Sequence, residues 1–183
     1  TAKVFDHLYG SPNINVQSLK CDAEGNIWVG TEGNGLFLID EREVTIWETD
    51  PVDSQPVTDV TNDGQGGIWF STSCKHLIHY DGQNFDQNIF PERCVMTLHH
   101  DPYSDDVLVG SDHQVTRLSE NGVDTLVTLF KKSYGHRITA IHVDNQKSIW
   151  VGTGSGTIYR QQDGQLKAFE TMEGNLVYFI TQL

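Results

Sequence analysis

The side chains of this 183-residue chain that could do chemistry are its eight histidines, its 25 acidic residues and its three cysteines. Their spacing decides which chemistries are open. His99 and His100 are adjacent, so in a strand they face opposite ways and do not converge on one metal ion. His76 and His79 flank Leu77-Ile78 and also point apart; with Cys74 they would form a metal cluster only if the intervening loop folded back. His113, His136 and His142 have no partner at ligand spacing, and no CxxC pair suggests a zinc ribbon or a thioredoxin-type centre. Gly152-Thr153-Gly154-Ser155-Gly156 looks like a phosphate loop but lacks the following Lys-Ser/Thr and a helix to open, so it reads as a hairpin turn. No GxSxG and no defensible Ser/His/Asp order occurs, although so many carboxylates leave a glycosidase-type pair open. The expectation is a protein without metal or cofactor, and not an enzyme.

The charge balance excludes partners more than it names them. Twelve basic residues against 25 acidic ones give a formal charge of −13. Nucleic-acid affinity rests on basic groups, as does electrostatic attachment to anionic lipid, so neither partner is expected. No apolar run approaches the ~18 residues of a membrane helix, and direct membrane insertion is not expected. The first residues show no signal-peptide pattern. Cysteines 21, 74 and 94 cannot all pair with one another. Cys21 and Cys94 fall in expected strands, where buried free thiols are the ordinary state.

The elements that must position these residues repeat. Val16, Val57, Val95 and Ile138 are separated by 41, 38 and 43 residues. Leu19, Val60, Leu98 and Ile141 keep that spacing, as do Asp22, Asp63, Asp101 and Asp144. Trp28, Trp69, Leu108 and Trp150 form a further column, followed three residues later by Thr31, Thr72, Ser111 and Thr153. Each unit reads as four short strands, a to d. Strand a ends at the recurring Asp; turns of Gly, Asn and Asp follow (AEGN, GQGG, PYSDD, NQKS), suited to tight hairpins. Strand b is the near-continuous apolar IWVGT or its equivalent, the pattern of a strand buried on both faces. Strand c is LFLID, LIHYD, VTRL or TIYR, and strand d is the most polar, as an outermost strand should be.

Units of about 40 residues with four strands and a Trp in the second predict an all-β fold of four four-stranded antiparallel propeller blades. The expected blades are approximately 14–50, 55–91, 93–130 and 136–172, within a single segment 1–183. A blade cannot bury its own faces, so Trp28, Trp69 and Trp150 are expected to pack between neighbours rather than serve as a sugar platform. The template Asp residues are expected to bond backbone N–H groups of their turns. Lys3-Val4-Phe5 reads as a strand d and Val177-Tyr178-Phe179-Ile180 as a strand a. Residues 1–13 are therefore expected to end a preceding or shared blade, 175–183 to begin a following one, and the array to be part of a larger propeller or to self-associate through open blade faces.

The phrase V-x-x-L-x-x-D-x-x-G-x-I-W-V-G-T-x-x-x-G-L resembles the two-component regulator propeller repeat. Val16, Leu19, Asp22, Gly25, Ile27, Trp28, Gly30, Thr31, Gly35 and Leu36 carry it almost in full, and the fourth repeat keeps Ile138, Asp144, Trp150, Gly152, Thr153 and Gly156. The second has Ser71 and His76 where glycine is usual; the third is the outlier, with Val107-Leu108 for Ile-Trp and Asp105 near the usual Gly. The resemblance implies a periplasmic, ligand-sensing propeller segment of a bacterial membrane-bound regulator, with carbohydrate fragments as the ligand class and signalling domains elsewhere. A propeller lyase or other carbohydrate-active enzyme, and a protein-interaction or dimerisation platform, are the alternatives.

A propeller's ligand face is the channel mouth, framed by b–c loops and by d–a connections. There Lys75 and His76 replace the usual glycine, and Arg93, His136 and Arg137 sit just before strands a. Arginine can fork to a ligand carboxylate or sulfate. Lys75, His76, Arg93, His136 and Arg137 are thus the expected ligand-binding residues, for a small molecule or oligosaccharide.

Overall fold

The computed structural model describes residues 14–40, 44–47, 56–72, 74, 76–86, 94–129, 137–170, 177 and 180. Four antiparallel sheets, each of four strands in simple sequential order, form four propeller blades. Blade 1 is β1 (Val16–Cys21), β2 (Ile27–Thr31), β3 (Leu36–Ile39) and β4 (Val44–Trp47). Blade 2 is β5 (Asp59–Asn62), β6 (Ile68–Thr72), β7 (His76–Tyr80) and β8 (Phe85–Asp86). Blade 3 is β9 (Thr97–His100), β10 (Val107–Gly110), β11 (Gln114–Ser119) and β12 (Gly122–Thr128). Blade 4 is β13 (Ile138–Val143), β14 (Ile149–Thr153), β15 (Thr157–Gln162) and β16 (Gln165–Glu170). The innermost strands β1, β5, β9 and β13 lie side by side in chain order.

The template Asp shapes the first hairpin of each blade. Asp22 Oδ1 accepts the N–H groups of Glu24 and Asn26, Asp63 Oδ1 those of Gln65 and Gly67, and Asp144 Oδ1 those of Gln146 and Ser148. Asp101 Oδ1 accepts from Tyr103 N–H in the longer third turn. Every one of these turns needs a left-handed residue. Gly25 and Gly66 supply it at φ +88° and +101°, but Asp105 and Lys147 adopt it at +57° and +62°. The outlying third repeat thus keeps the turn geometry without the glycine, at a steric cost an Asp tolerates better than most residues.

Blades join through one repeated contact. Val57 N–H donates to Thr31 O, Ile138 N–H to Ser111 O, and Val177 N–H to Thr153 O. The approach is close because strand b carries glycine there. A Cβ on Gly30 would lie 2.8 Å from Val57 Cγ1, and one on Gly110 would lie 2.8 Å from Ile138 Cγ2. Ser71 fills that column in blade 2, and its hydroxyl is absorbed by Thr58 Oγ1 at 2.6 Å, which also reaches Val95 O. Val177 thus takes at Thr153 the place that Val57 takes at Thr31 and Ile138 at Ser111.

The faces are not equally covered. Val57, Val95 and Ile138 are buried against the preceding blade, whereas Val16 is 46% and Leu19 63% exposed. Those two side chains belong to the same template columns but meet no sheet among the described residues. Trp28 is buried as expected, while Trp69 and Trp150 are only half-buried. The difference among the three has a local cause. Tyr80 lies over Trp28 with ring centroids 5.7 Å apart and is itself stacked on Phe85. In blade 3 the residues in register with Tyr80 and Phe85 are Leu118 and Val123, too small to seal Trp69.

Candidate functional site

The b–c loops and the segments leading into strands a meet at one end of the array. Glu32 N–H donates to Asn15 O in blade 1, and Gly154 N–H to Arg137 O in blade 4. His76 opens β7 at this end, half-buried, and Arg137 immediately precedes β13. Arg137 Nε lies 3.2 Å from Asp112 Oδ1, a pair that ties the blade 3 b–c loop to the start of blade 4. The expected ligand residues Lys75, Arg93 and His136 lie outside the described residues. A carboxylate is also prominent here: Glu32 Oε2 accepts from Asn15 Nδ2 at 2.6 Å and from Gln17 Nε2 at 3.4 Å.

A disulfide joins the same region. Cys74, in the blade 2 b–c loop, is bonded to Cys94 at the entry to blade 3, with Cα atoms 3.7 Å apart. This corrects the expectation of a buried free thiol at Cys94. Cys21, the remaining thiol, is exposed rather than buried. It ends β1 on the uncovered blade 1 face, which is why a strand position did not bury it. The bond links the two segments that adjoin Lys75-His76 and Arg93.

At the opposite, a–b end a groove of about 730 Å³ lies between blades 2 and 3. Its floor is Trp69, whose ring stacks on His79 at 4.5 Å between centroids. Blade 2 departs from blades 1 and 4 at this spot. In blades 1 and 4 the template Asp accepts the indole N–H of its own Trp, Asp22 from Trp28 at 2.9 Å and Asp144 from Trp150 at 2.8 Å. In blade 2, His79 Nε2 takes Asp63 Oδ2 at 2.8 Å instead. Burial pushes the Asp63 carboxyl up, but hydrogen bonds from Gln65 N–H, His79 and Gly67 N–H outweigh it and hold the group below the usual carboxylate range. The position across from the Trp column, which holds Leu108 in blade 3, is Leu38, His79, Arg117 or Arg160 in strand c, and each polar choice meets an Asp: Arg117 Nε reaches Asp106 at 3.4 Å and Arg160 Nη2 reaches Asp144 at 3.8 Å.

Two histidines also meet across blades. His99 in β9 and His142 in β13 have ring centroids 5.6 Å apart, and His99 Nε2 accepts Val143 N–H at 3.3 Å. Thr61 does the same for His100 N–H one blade earlier. These histidines serve the joint between blades. Among the described residues no group of three or more His, Cys, Asp or Glu side chains is arranged to hold a metal ion. Neither the groove nor the His99–His142 contact was visible in the spacing of histidines along the chain. The signal for the groove was that blade 2 alone carries an aromatic pair, Tyr80 and Phe85, at positions where blade 3 has Leu118 and Val123 once the repeats are set in register.

The turn, strand b and glycine geometry of blade 1 coincide with a known repeat. A family model described as "Two component regulator propeller" matches residues 10–33. The match covers the first repeat, and the other three blades resemble it in register. A search of curated proteins returned no match. Among solved structures, the extracellular domain of a one component system of B. thetaiotaomicron aligns at TM-score 0.74 and 18% identity, covering 93% of this chain and 24% of that one. The extracellular domain of a hybrid two component system from the same organism aligns at 0.69 and 20%, covering 86% and 22%. Virginiamycin B lyase from Staphylococcus aureus aligns at 0.69 and 15%, covering 86% of this chain and 56% of the lyase. At these identities the likeness is one of fold, and the chain spans between about a fifth and just over half of each of these three proteins.

Proposed function

We propose that this chain is a ligand-sensing segment of the extracytoplasmic region of a bacterial membrane-bound regulator. We assign its ligand, an oligosaccharide fragment, to the end bearing His76 and Arg137, with Lys75, Arg93 and His136 contributing from the adjoining segments. The observation that carries the reading is the regulator propeller repeat, held in register through four blades. The Cys74–Cys94 bond supports the compartment, because disulfides persist in oxidising surroundings and are rare in the cytosol. Counting thiols by mass spectrometry after alkylation without reductant should find one modified cysteine, Cys21. Three modified cysteines in protein taken from an oxidising compartment would remove that support.

Binding is tested by a thermal-shift screen with neutral and acidic oligosaccharide fragments. A ligand at about 100 times its Kd adds ~2.7 kcal/mol, which for a domain of this size is a Tm rise of roughly 5–11 °C. His76→Ala and Arg137→Ala should each weaken the shift while leaving the unliganded Tm near its starting value. Turnover of a fragment would favour the lyase reading, and a screen with no shift would favour an interaction platform.

A further inference from the structure

The groove over Trp69 lies at the end of the array remote from His76 and Arg137, and what it offers goes beyond the sensing role proposed above. Each of its two walls contributes one feature. Blade 3 presents Leu118 and Val123 where blade 2 presents Tyr80 and Phe85, so the space above the Trp column is sealed at the joint of blades 1 and 2 and open at the joint of blades 2 and 3. Within blade 2, His79 has taken the acceptor that the indole N–H would otherwise use, and Trp69 has no hydrogen-bond acceptor among the described residues. An aromatic face, an uncommitted donor and an open volume therefore coincide.

The charge of the lining is one-sided. Asp63, Asp105, Asp106 and Glu120 line the groove, and no lysine or arginine does. Asp106 is balanced by Arg117 behind it at 3.4 Å. Asp63 and Asp105 meet only histidines, His79 and His100, and Glu120 meets no cation among the described residues. Three of the four carboxylates thus have no lysine or arginine beside them, and they stand against a low-dielectric wall, which focuses attraction for a cation. An indole face adds cation–π attraction for a guanidinium or ammonium group. A small quaternary ammonium ion would satisfy the charge but leave the indole N–H without an acceptor. A peptide brings both a basic side chain and backbone carbonyls.

We propose that the groove between blades 2 and 3 docks a basic peptide segment of a partner protein, its lysine or arginine set among Asp63, Asp105 and Glu120 and its backbone over Trp69. The probe is a synthetic heptapeptide containing two arginines and a lysine, compared with a counterpart carrying glutamine at those three positions. The readout is the Trp69 indole N–H resonance, assigned through Trp69→Phe. The basic peptide should shift that resonance saturably and the glutamine peptide should not. Raising salt from 0.05 to about 0.5 M should weaken binding several-fold as screening grows. Glu120→Gln combined with Asp105→Asn should weaken it at least fivefold.

Leu118→Tyr combined with Val123→Phe copies the sealed joint and should abolish the shift while raising Tm. Should that filled variant fail to fold, the exposed Glu120→Gln and Asp105→Asn pair decides alone. Equal binding of both peptides, or binding kept by the neutralised or the filled variant, would overturn the proposal, since attraction to an acidic surface at large would then explain it. A Trp69 shift caused by a neutral oligosaccharide and not by the basic peptide would also overturn it. Sensing at the His76 and Arg137 end is read separately, by oligosaccharide shifts that His76→Ala and Arg137→Ala remove.

Discussion

Trp28→Ala is expected to destabilise the protein by ~3–5 kcal/mol, the cost of removing a fully packed aromatic, and Trp69→Ala and Trp150→Ala by clearly less, roughly 1–3 kcal/mol. The three residues share one template column, so sequence alone assigns them equal worth. Their surroundings do not. Trp28 is 3% exposed and belongs to a cluster with Leu36, Val57, Val60, Ile68, Phe70 and Ile78, drawn from both blades of the joint. Its indole N–H is committed to Asp22 Oδ2, which also receives Asn26 Nδ2 at 3.0 Å. Deleting the ring opens a cavity beneath Tyr80 that β-strands on both sides cannot collapse into. Trp69 faces an open groove, and truncating it removes contact with His79 and part of the blade 3 wall without creating a closed void. Trp150 keeps its bond to Asp144, its ring centroid lies 5.7 Å from that of Phe169, and the Arg160 guanidinium sits over its ring at 5.2 Å, all near the surface. Urea unfolding midpoints with unchanged slopes would measure the three costs. Equal losses for Trp28 and Trp69 would mean that the groove is closed in solution.

The blade, its strand order and its turns were legible because each is repeated. A single IWVGT could be a buried strand of many folds, but four in register, each preceded by an Asp and a polar turn, leave a blade that must stack. The role of the template Asp in its turn was equally readable, since the backbone N–H groups it serves are within four residues. Its second role, accepting the indole N–H six residues on, was not anticipated, though it lies within the same hairpin. What the sequence hid were contacts between blades. The Cys74–Cys94 bond joins a b–c loop to the next strand a, 20 residues on, and strand assignment alone argued for a buried thiol there. His99 and His142 meet from different blades, so no motif spacing could pair them. Of the five expected ligand residues, His76 and Arg137 fall at the loop end, and Arg137 is held by Asp112, an acid from the neighbouring blade.

Stability should fall as the solution is acidified from pH 6.5 toward 4, by up to ~3 kcal/mol from His99 alone. Its imidazole accepts Val143 N–H through Nε2, a role open to the neutral ring and closed to the protonated one. Burial is the main cause that disfavours its charge, followed by His142, Lys20 and His100, with Asp101 opposing, and together they bring the ring down from 6.5 to about 4. Above pH 6.5 the ring is neutral in both the folded and the unfolded chain, and the full contribution is present. Below it the unfolded chain takes up a proton that the native state refuses. Stability then drops by as much as ~1.4 kcal/mol per pH unit until the native ring protonates near pH 4. Asp59 works in the opposite direction. Burial raises its carboxyl despite the N–H groups of Leu98 and Val60, so the native state protonates it before the unfolded chain does, at pH values above 3.8. Only a difference between variants isolates His99. Thr61 shows which variant to make, since its hydroxyl accepts the equivalent N–H of His100 at 3.2 Å without titrating. His99→Thr should keep the joint between blades 3 and 4 and flatten the profile, so that urea-derived stabilities of the two proteins converge as pH falls from about 7 to about 4.5. Parallel profiles would mean that the imidazole is hydrated in solution and that Val143 N–H finds its acceptor elsewhere.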